Sequence, residues 1–202
     1  MTCLNTYEIT ENYQNISIKT NTSHIEIQES TNNHTSVICN ENKRSPHLVV
    51  VANNTLSISP QKRNWYTYLY PNFTTSKITL LIPKTLENLN IKCNTGTINI
   101  SSITPTNITI KINTGATNLN NVIAKEKMSL HTNTGKINLN ESDAGEIFIK
   151  TNTGNVSGTL LTDKAFVIRC NTGKINIPDT FGSSKCEIIS NTGHIDFKTK
   201  KN

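Results

Sequence analysis

The chain has 202 residues, a hydrophobic fraction of 34%, only 5% aromatics, and an excess of Lys plus Arg over Asp plus Glu of 20 − 14 = 6. That length fits a single core, the mild positive balance favours acidic partners without naming one, and no apolar run approaches the roughly 18 residues of a membrane-spanning helix. Cys3, Cys39, Cys93, Cys170 and Cys186 form an odd set with no CxxC spacing, a pattern that suits reduced thiols better than a disulfide frame or a zinc site.

The first stretch, MTCLNTYEITENY, has no basic segment followed by an apolar one. No secretory signal is read there, and a cytoplasmic chain is expected. The segment ISIKTNTSHIEI, Ile16 to Ile27, alternates apolar and polar residues on both sides of Asn21-Thr22-Ser23, the signature of two short strands meeting at a corner. Alternation returns over Thr55 to Ser59 and Lys77 to Ile82, while Pro60, Pro71 and Pro83 interrupt the region, so an inserted hairpin or loop is expected near 60–75. Trp65, Tyr66, Tyr68, Tyr70 and Phe73 crowd into that insertion. The simpler reading is a hairpin packed over the fold. The functional one is a glycan- or protein-binding loop built from Trp65, Tyr66, Tyr68 and Tyr70.

Beyond residue 88 the triplet Asn-Thr-Gly recurs at 94–96, 113–115, 133–135, 152–154, 171–173 and 191–193, at intervals of 19, 20, 19, 19 and 20 residues. Such a fixed interval marks a repeat architecture. Five and three positions before each triplet stand Leu89/Ile91, Ile108/Ile110, Met128/Leu130, Ile147/Ile149, Phe166/Ile168 and Cys186/Ile188. Ile98/Ile100, Ile137/Leu139, Ile175/Ile177 and Ile195/Phe197 alternate in the same way beyond it. Each unit therefore reads as strand, corner, strand and a looser connection. Stacking of equivalent residues at about 4.8 Å explains one identical corner per unit, which a meander of hairpins would not require. The expected fold is all-β: a parallel β-solenoid with about two strands per coil in a single domain, 1–202. Residues 1–88 supply irregular coils and a cap, and 89–198 the six regular repeats.

The recurrent positions have distinct readings. Gly96, Gly115, Gly135, Gly154, Gly173 and Gly193 fit a corner that excludes a side chain, and Asn94, Asn113, Asn133, Asn152, Asn171 and Asn191 tolerate left-handed geometry or bond the next backbone group. Asn99, Asn118, Asn138 and Asn176, with Asp196 and Ser157 at equivalent places, are expected to face outward as a stacked polar ladder. The column Thr95, Thr114, Thr134, Thr153, Thr172 and Thr192 is read as corner hydroxyls closing local turns, since an ice-binding face needs more than one such file. Two residues before each corner Asn stand Lys92, Lys111, His131, Lys150 and Arg169, ending in Ile189. A solvated face explains a charge row in general; a linear anion-binding stripe for a phosphate-rich polymer, acidic glycan or nucleic acid is the functional reading. Without interleaved aromatics the row is not suited to sequence-specific nucleic-acid recognition.

The run KITLLIPKTLENLNIKCNTGTINI, Lys77 to Ile100, and the serial copies of the type IKTNTGKINL that follow it resemble the bacterial putative-adhesin β-strand-repeat family over roughly Tyr13 to Phe197. The resemblance implies a right-handed parallel β-helix, association with the bacterial cell envelope in many members, and no catalytic residues. Enzymatic β-helices that act on polysaccharides group carboxylates along one face. Here Glu141, Asp143 and Glu146 are close in sequence but occupy no common template position, and a connecting loop is their expected place. The histidines show no metal-ligand spacing, and neither GxSxG nor a phosphate-cradling Gly loop occurs. No metal, cofactor or catalytic residue is assigned. A non-catalytic binding or scaffold protein is the leading reading, with a polysaccharide lyase or hydrolase and a purely structural cytosolic scaffold as alternatives.

Overall fold

The computed structural model describes residues 2–43, 46–61, 75–179 and 181–200. The aromatic segment holding Trp65, Tyr66, Tyr68, Tyr70 and Phe73 lies outside them. The N-terminal strands are β1 (Thr2–Ile9), β2 (Asn15–Glu29), β3 (Thr35–Asn42), β4 (His47–Ala52), β5 (Thr55–Pro60) and β6 (Ser76–Ile82). The repeat region supplies β7 (Thr85–Ser101), β8 (Thr104–Asn120), β9 (Ile123–Thr134), β10 (Ile137–Thr153), β11 (Val156–Leu160), β12 (Lys164–Thr172), β13 (Ile175–Asn176), β14 (Ser184–Thr192) and β15 (Ile195–Thr199). All join one sheet of mostly parallel strands, and there is no helix among the described residues.

Parallel pairing stacks the chain into rungs. Ile18 lies against Ile91, Ile91 against Ile110, Ile110 against Leu130, Leu130 against Ile149, and Ile149 against Ile188. These side chains form an interior column with exposures of 1% or less. The degenerate segment at 16–27 takes a full place in the stack, with Thr22 opposite Thr95 and Ser23 opposite Gly96. In β7 and β8 the strand runs straight through the Asn-Thr-Gly corner instead of breaking there.

Stacking order departs from chain order at both ends. Beyond β2, on the side away from β7, lie β5 and β6, although both follow it in sequence. At the other end, the last rung, β14 with β15, slots between the 147–160 rung and the 164–177 rung: Cys186 faces Ile147 on one side and Phe166 on the other. The outermost rung is therefore β12 with β13, which has one neighbour. Its Phe166 and Ile168 are only partly buried, while Ile175 and Ile177 are 49% and 36% exposed. Alternation predicts which face looks inward; it does not predict which rung is last, and a terminal rung lacks the neighbour that would complete its burial.

Antiparallel strands close the N-terminal end. Strand β3 pairs with β6, and β1 with β3. The hairpin β4–β5 turns at Asn53-Asn54, with φ of 50° and 59°, the two left-handed residues of a type I′ turn that Asn tolerates best. Inside this cap Glu41 is 1% exposed and accepts from His47 Nδ1 at 2.5 Å, from the His47 backbone N–H at 2.8 Å and from Asn5 at 2.9 Å, so its carboxylate is bonded on both oxygens as burial demands.

Glu141, Asp143 and Glu146 do not sit in a connecting loop; all three fall within β10. The strand accommodates them because Glu141 takes φ of 45° and Asp143, 6% exposed, turns inward onto a buried lysine. Lys164 Nζ lies 2.5 Å from Asp143 Oδ1 and donates to Ala144 O at 2.8 Å, Thr162 Oγ1 at 2.9 Å and Ser184 Oγ at 3.0 Å. Asp143 also accepts from the N–H of Ala144 and from the N–H and hydroxyl of Thr162. Lys164 begins β12 and Ser184, its register partner, begins β14, so this cluster binds the outermost rung to β10 across the rung between them. The five cysteines are free thiols. Burial pushes those of Cys39 and Cys186 up to about 12, which leaves them protonated and inert at neutral pH.

Candidate polyanion-binding groove

The corner of the 16–27 segment and those of five repeats bring three consecutive residues, and the remaining one brings Arg169 and Asn171, to one open groove of about 960 Å³ that crosses the rungs. In β7 these are Lys92, Cys93 and Asn94: the first and third are exposed, the second is 5% exposed and points inward. Strand alternation thus raises two walls, cationic and amide, over a floor of buried residues.

The cationic wall is longer than the repeats alone indicate. Lys19 faces Lys92, Lys92 faces Lys111, Lys111 faces His131, and His131 faces Lys150. The exchange of the last two rungs then puts Ile189 next to Lys150, with Arg169 beyond it. Arg169 is thereby separated from the main file, and Ile189 is an interior gap rather than its end. Lys19 belongs to the file because its rung is the degenerate repeat, and aligning Asn21-Thr22-Ser23 with the triplet locates it two residues upstream. Adjacent cations about 4.8 Å apart repel by somewhat under 1 kcal/mol per pair in bulk water. Among the described residues, Lys19, Lys92, Lys111, Lys150 and Arg169 form no ion pair, whereas Lys77, Lys84, Lys127, Lys185 and Lys200 pair with Glu26, Glu29, Glu146, Glu187 and Glu141. No Asp or Glu is among the described residues lining the groove. Its charge is left for solvent or a ligand to compensate.

His131 is the titratable member. Ser129 Oγ lies 3.1 Å from its Nε2, and the Phe148 ring is centred 5.3 Å away. Burial, reinforced by Lys111 and Lys150, holds its pKa below the ordinary value of 6.5.

The amide wall carries Asn21, Asn94, Asn113, Asn133, Asn152, Asn191 and Asn171. Asn113 donates to Asn94 at 3.2 Å, Asn191 donates to Asn152 at 3.0 Å, and Asn171 donates to Asn191. Beyond the bend, Thr95, Thr114, Thr134, Thr153, Thr192 and Thr172 are exposed and lie in register. The corner glycines have φ between 137° and 150°; a Cβ on Gly135 would stand 1.6 Å from the Gly115 carbonyl oxygen. Regular rungs could not close to strand spacing over a side chain in that conformation; Ser23, in register with Gly96, is not among the positive-φ residues. On the second arm Asn118 donates to Asn99 at 2.8 Å, Ser157 to Asn138 at 3.4 Å, and Asn176 to Asp196 at 2.7 Å.

Chemically the groove can neutralise anions along its length. Among the described residues there is no group of three or more His, Cys, Asp or Glu able to hold a metal ion, and no helix long and apolar enough to cross a membrane.

Comparison with known proteins places the fold. A search of curated proteins gave no match. Among solved structures, the chain is similar to a putative adhesin from Bacteroides fragilis, with 16% identity, a TM-score of 0.53, and coverage of 99% of this chain and 97% of that one. It is also similar to a putative cell adhesion protein from Clostridium sporogenes, with 13% identity, a TM-score of 0.52, and coverage of 99% and 100%. At such identities the likeness is one of fold. The sequence profile of the Toastrack DUF4097 family matches residues 13–202, nearly the whole chain, and the protein therefore belongs to that family of all-β, solenoid-like domains.

Proposed function

We propose that this protein is a non-catalytic, single-domain solenoid, 1–202, that binds an anionic polymer along the groove walled by Lys19, Lys92, Lys111, His131 and Lys150. One observation carries the reading: these residues occupy consecutive rungs of one groove, and no Asp or Glu is among the described residues that line it. A file of like charges with no acid set among them sustains a positive potential along the groove, which attracts an extended anion. A right-handed sense with 19–20 residues per coil belongs to the same reading. The adhesin names of the two similar structures fit a binding role at the cell envelope, and the unlined carboxylates weigh against polysaccharide cleavage, which needs paired acids across a substrate.

The test is association with heparin at low and high salt, with uncharged dextran as the control. Salt-sensitive binding to heparin that drops on replacing Lys111→Ala with Lys150→Ala supports the assignment. Heparin binding that is absent at low salt, or indifferent to that double substitution, refutes it and leaves the scaffold reading.

A further inference from the structure

The groove has two walls, and only one of them is about charge. Each Asn side chain offers two N–H donors and a carbonyl with two lone pairs. The bonds from Asn113 to Asn94 and from Asn191 to Asn152 use one donor and one acceptor per contact. What remains on the exposed amides is a row of spare donors and acceptors facing the lysines across the groove. A bare polyanion such as polyphosphate can engage the donors but leaves the acceptors idle, since it has nothing to donate. The row suits a polymer carrying hydroxyls on one edge and acids on another.

Charge density points the same way. The cationic wall supplies at most one charge per rung, about 4.8 Å, and the Lys150 to Arg169 step is interrupted by Ile189. A stacked nucleic-acid strand carries one charge per about 3.4 Å, and single-strand binders add aromatic platforms for the bases. Among the described residues lining the groove there is no Phe, Tyr or Trp. Resting on the anion-binding reading, we infer that the ligand is a linear acidic glycan lying along the solenoid axis. Its carboxylates or sulfates are met by Lys92, Lys111, His131 and Lys150, and its hydroxyls by the amides of Asn94, Asn113, Asn133 and Asn152.

The experiment compares the full chain's affinity for polygalacturonate, inorganic polyphosphate of matched length and dextran, by titration calorimetry at low salt. The expected result is polygalacturonate tightest, polyphosphate weaker by about tenfold or more, and dextran undetectable. A series of galacturonate oligomers should gain affinity with length until the file of rungs is filled, then level off. Asn133→Ala with Asn152→Ala should lower polygalacturonate affinity about tenfold and leave polyphosphate within about twofold; unfolding midpoints of both proteins identify a loss that is merely structural. Polyphosphate binding as well as or better than polygalacturonate overturns the glycan assignment while the anion reading stands. Failure of both anions to bind overturns the two together, and dextran binding equally well overturns the role of the cations. The wild-type comparison and the length series decide the matter even if the amide variant does not fold.

Discussion

Replacing Asp143 by Asn should destabilise the protein more than any surface substitution. Lys164 is 2% exposed, and the Asp143 carboxylate divides its two oxygens between four donors: Oδ1 takes Lys164 Nζ and the Ala144 N–H, while Oδ2 takes the Thr162 N–H and hydroxyl. An amide can keep its oxygen on Thr162, but its NH₂ then confronts two donors, and the buried ammonium of Lys164 loses the carboxylate 2.5 Å away. Breaking a buried pair in this way costs about 3–5 kcal/mol, or a melting temperature lower by roughly 6–20 °C for a chain of this size. Lys164→Met leaves the carboxylate its three other donors and should cost less, about 2–3 kcal/mol. In the double variant the two losses overlap, so a double-mutant cycle by urea denaturation should show a coupling of about 1–3 kcal/mol. Coupling under about 0.5 kcal/mol, or a smaller loss for Asp143→Asn than for Lys164→Met, would refute the reasoning.

Gly135→Ala should cost about 3 kcal/mol or more, because the new Cβ would meet the Gly115 carbonyl oxygen in a backbone conformation that L residues rarely adopt; an unchanged urea midpoint would contradict this. For His131 the sign is set by a pKa held below the ordinary value through burial and the fields of Lys111 and Lys150. The unfolded chain takes up this proton first, so the His131 contribution to stability falls as pH drops from the ordinary histidine value through the depressed one. Polyanion binding reverses the local field and favours the imidazolium, so heparin affinity should rise over the same window. His131→Asn should flatten both trends, and equal slopes in wild type and variant would exclude His131 as their source.

Much of the architecture was legible because stacking enforces identity. Alternation at Ile147/Ile149 and Ile195/Phe197 marks inward faces wherever a rung has neighbours on both sides, and the degenerate copy at 16–27 still shows its corner. Rung order was not legible: a parallel rung accepts any neighbour with the same template, so nothing local distinguishes Ile188 on Ile149 from Ile168 on Ile149. In the exchanged order the long side chain of Lys164 still reaches Asp143 across the rung between; in sequence it is one lysine among many. The groove was half legible. Spacing locates the Lys92 to Lys150 file, but the interruption at Ile189 depends on the exchanged order, and in sequence the corner asparagines signal turn chemistry rather than a wall.

The exchange also constrains synthesis. When residues 164–177 leave the ribosome, the rung they will rest against, 184–199, has not yet been made. From β7 to the 147–160 rung, folding can follow emergence, because each new rung lies on one already made: β7 on β2, then each later rung on the one before it. After that point vectorial assembly stops: the next segment must wait unpaired, or pair provisionally with β10, until the following one arrives to occupy that place. Completion of the stack is thus tied to completion of the chain through residue 199, and a nascent chain arrested between the two segments exposes the edge of β10 to any strand that can bind it.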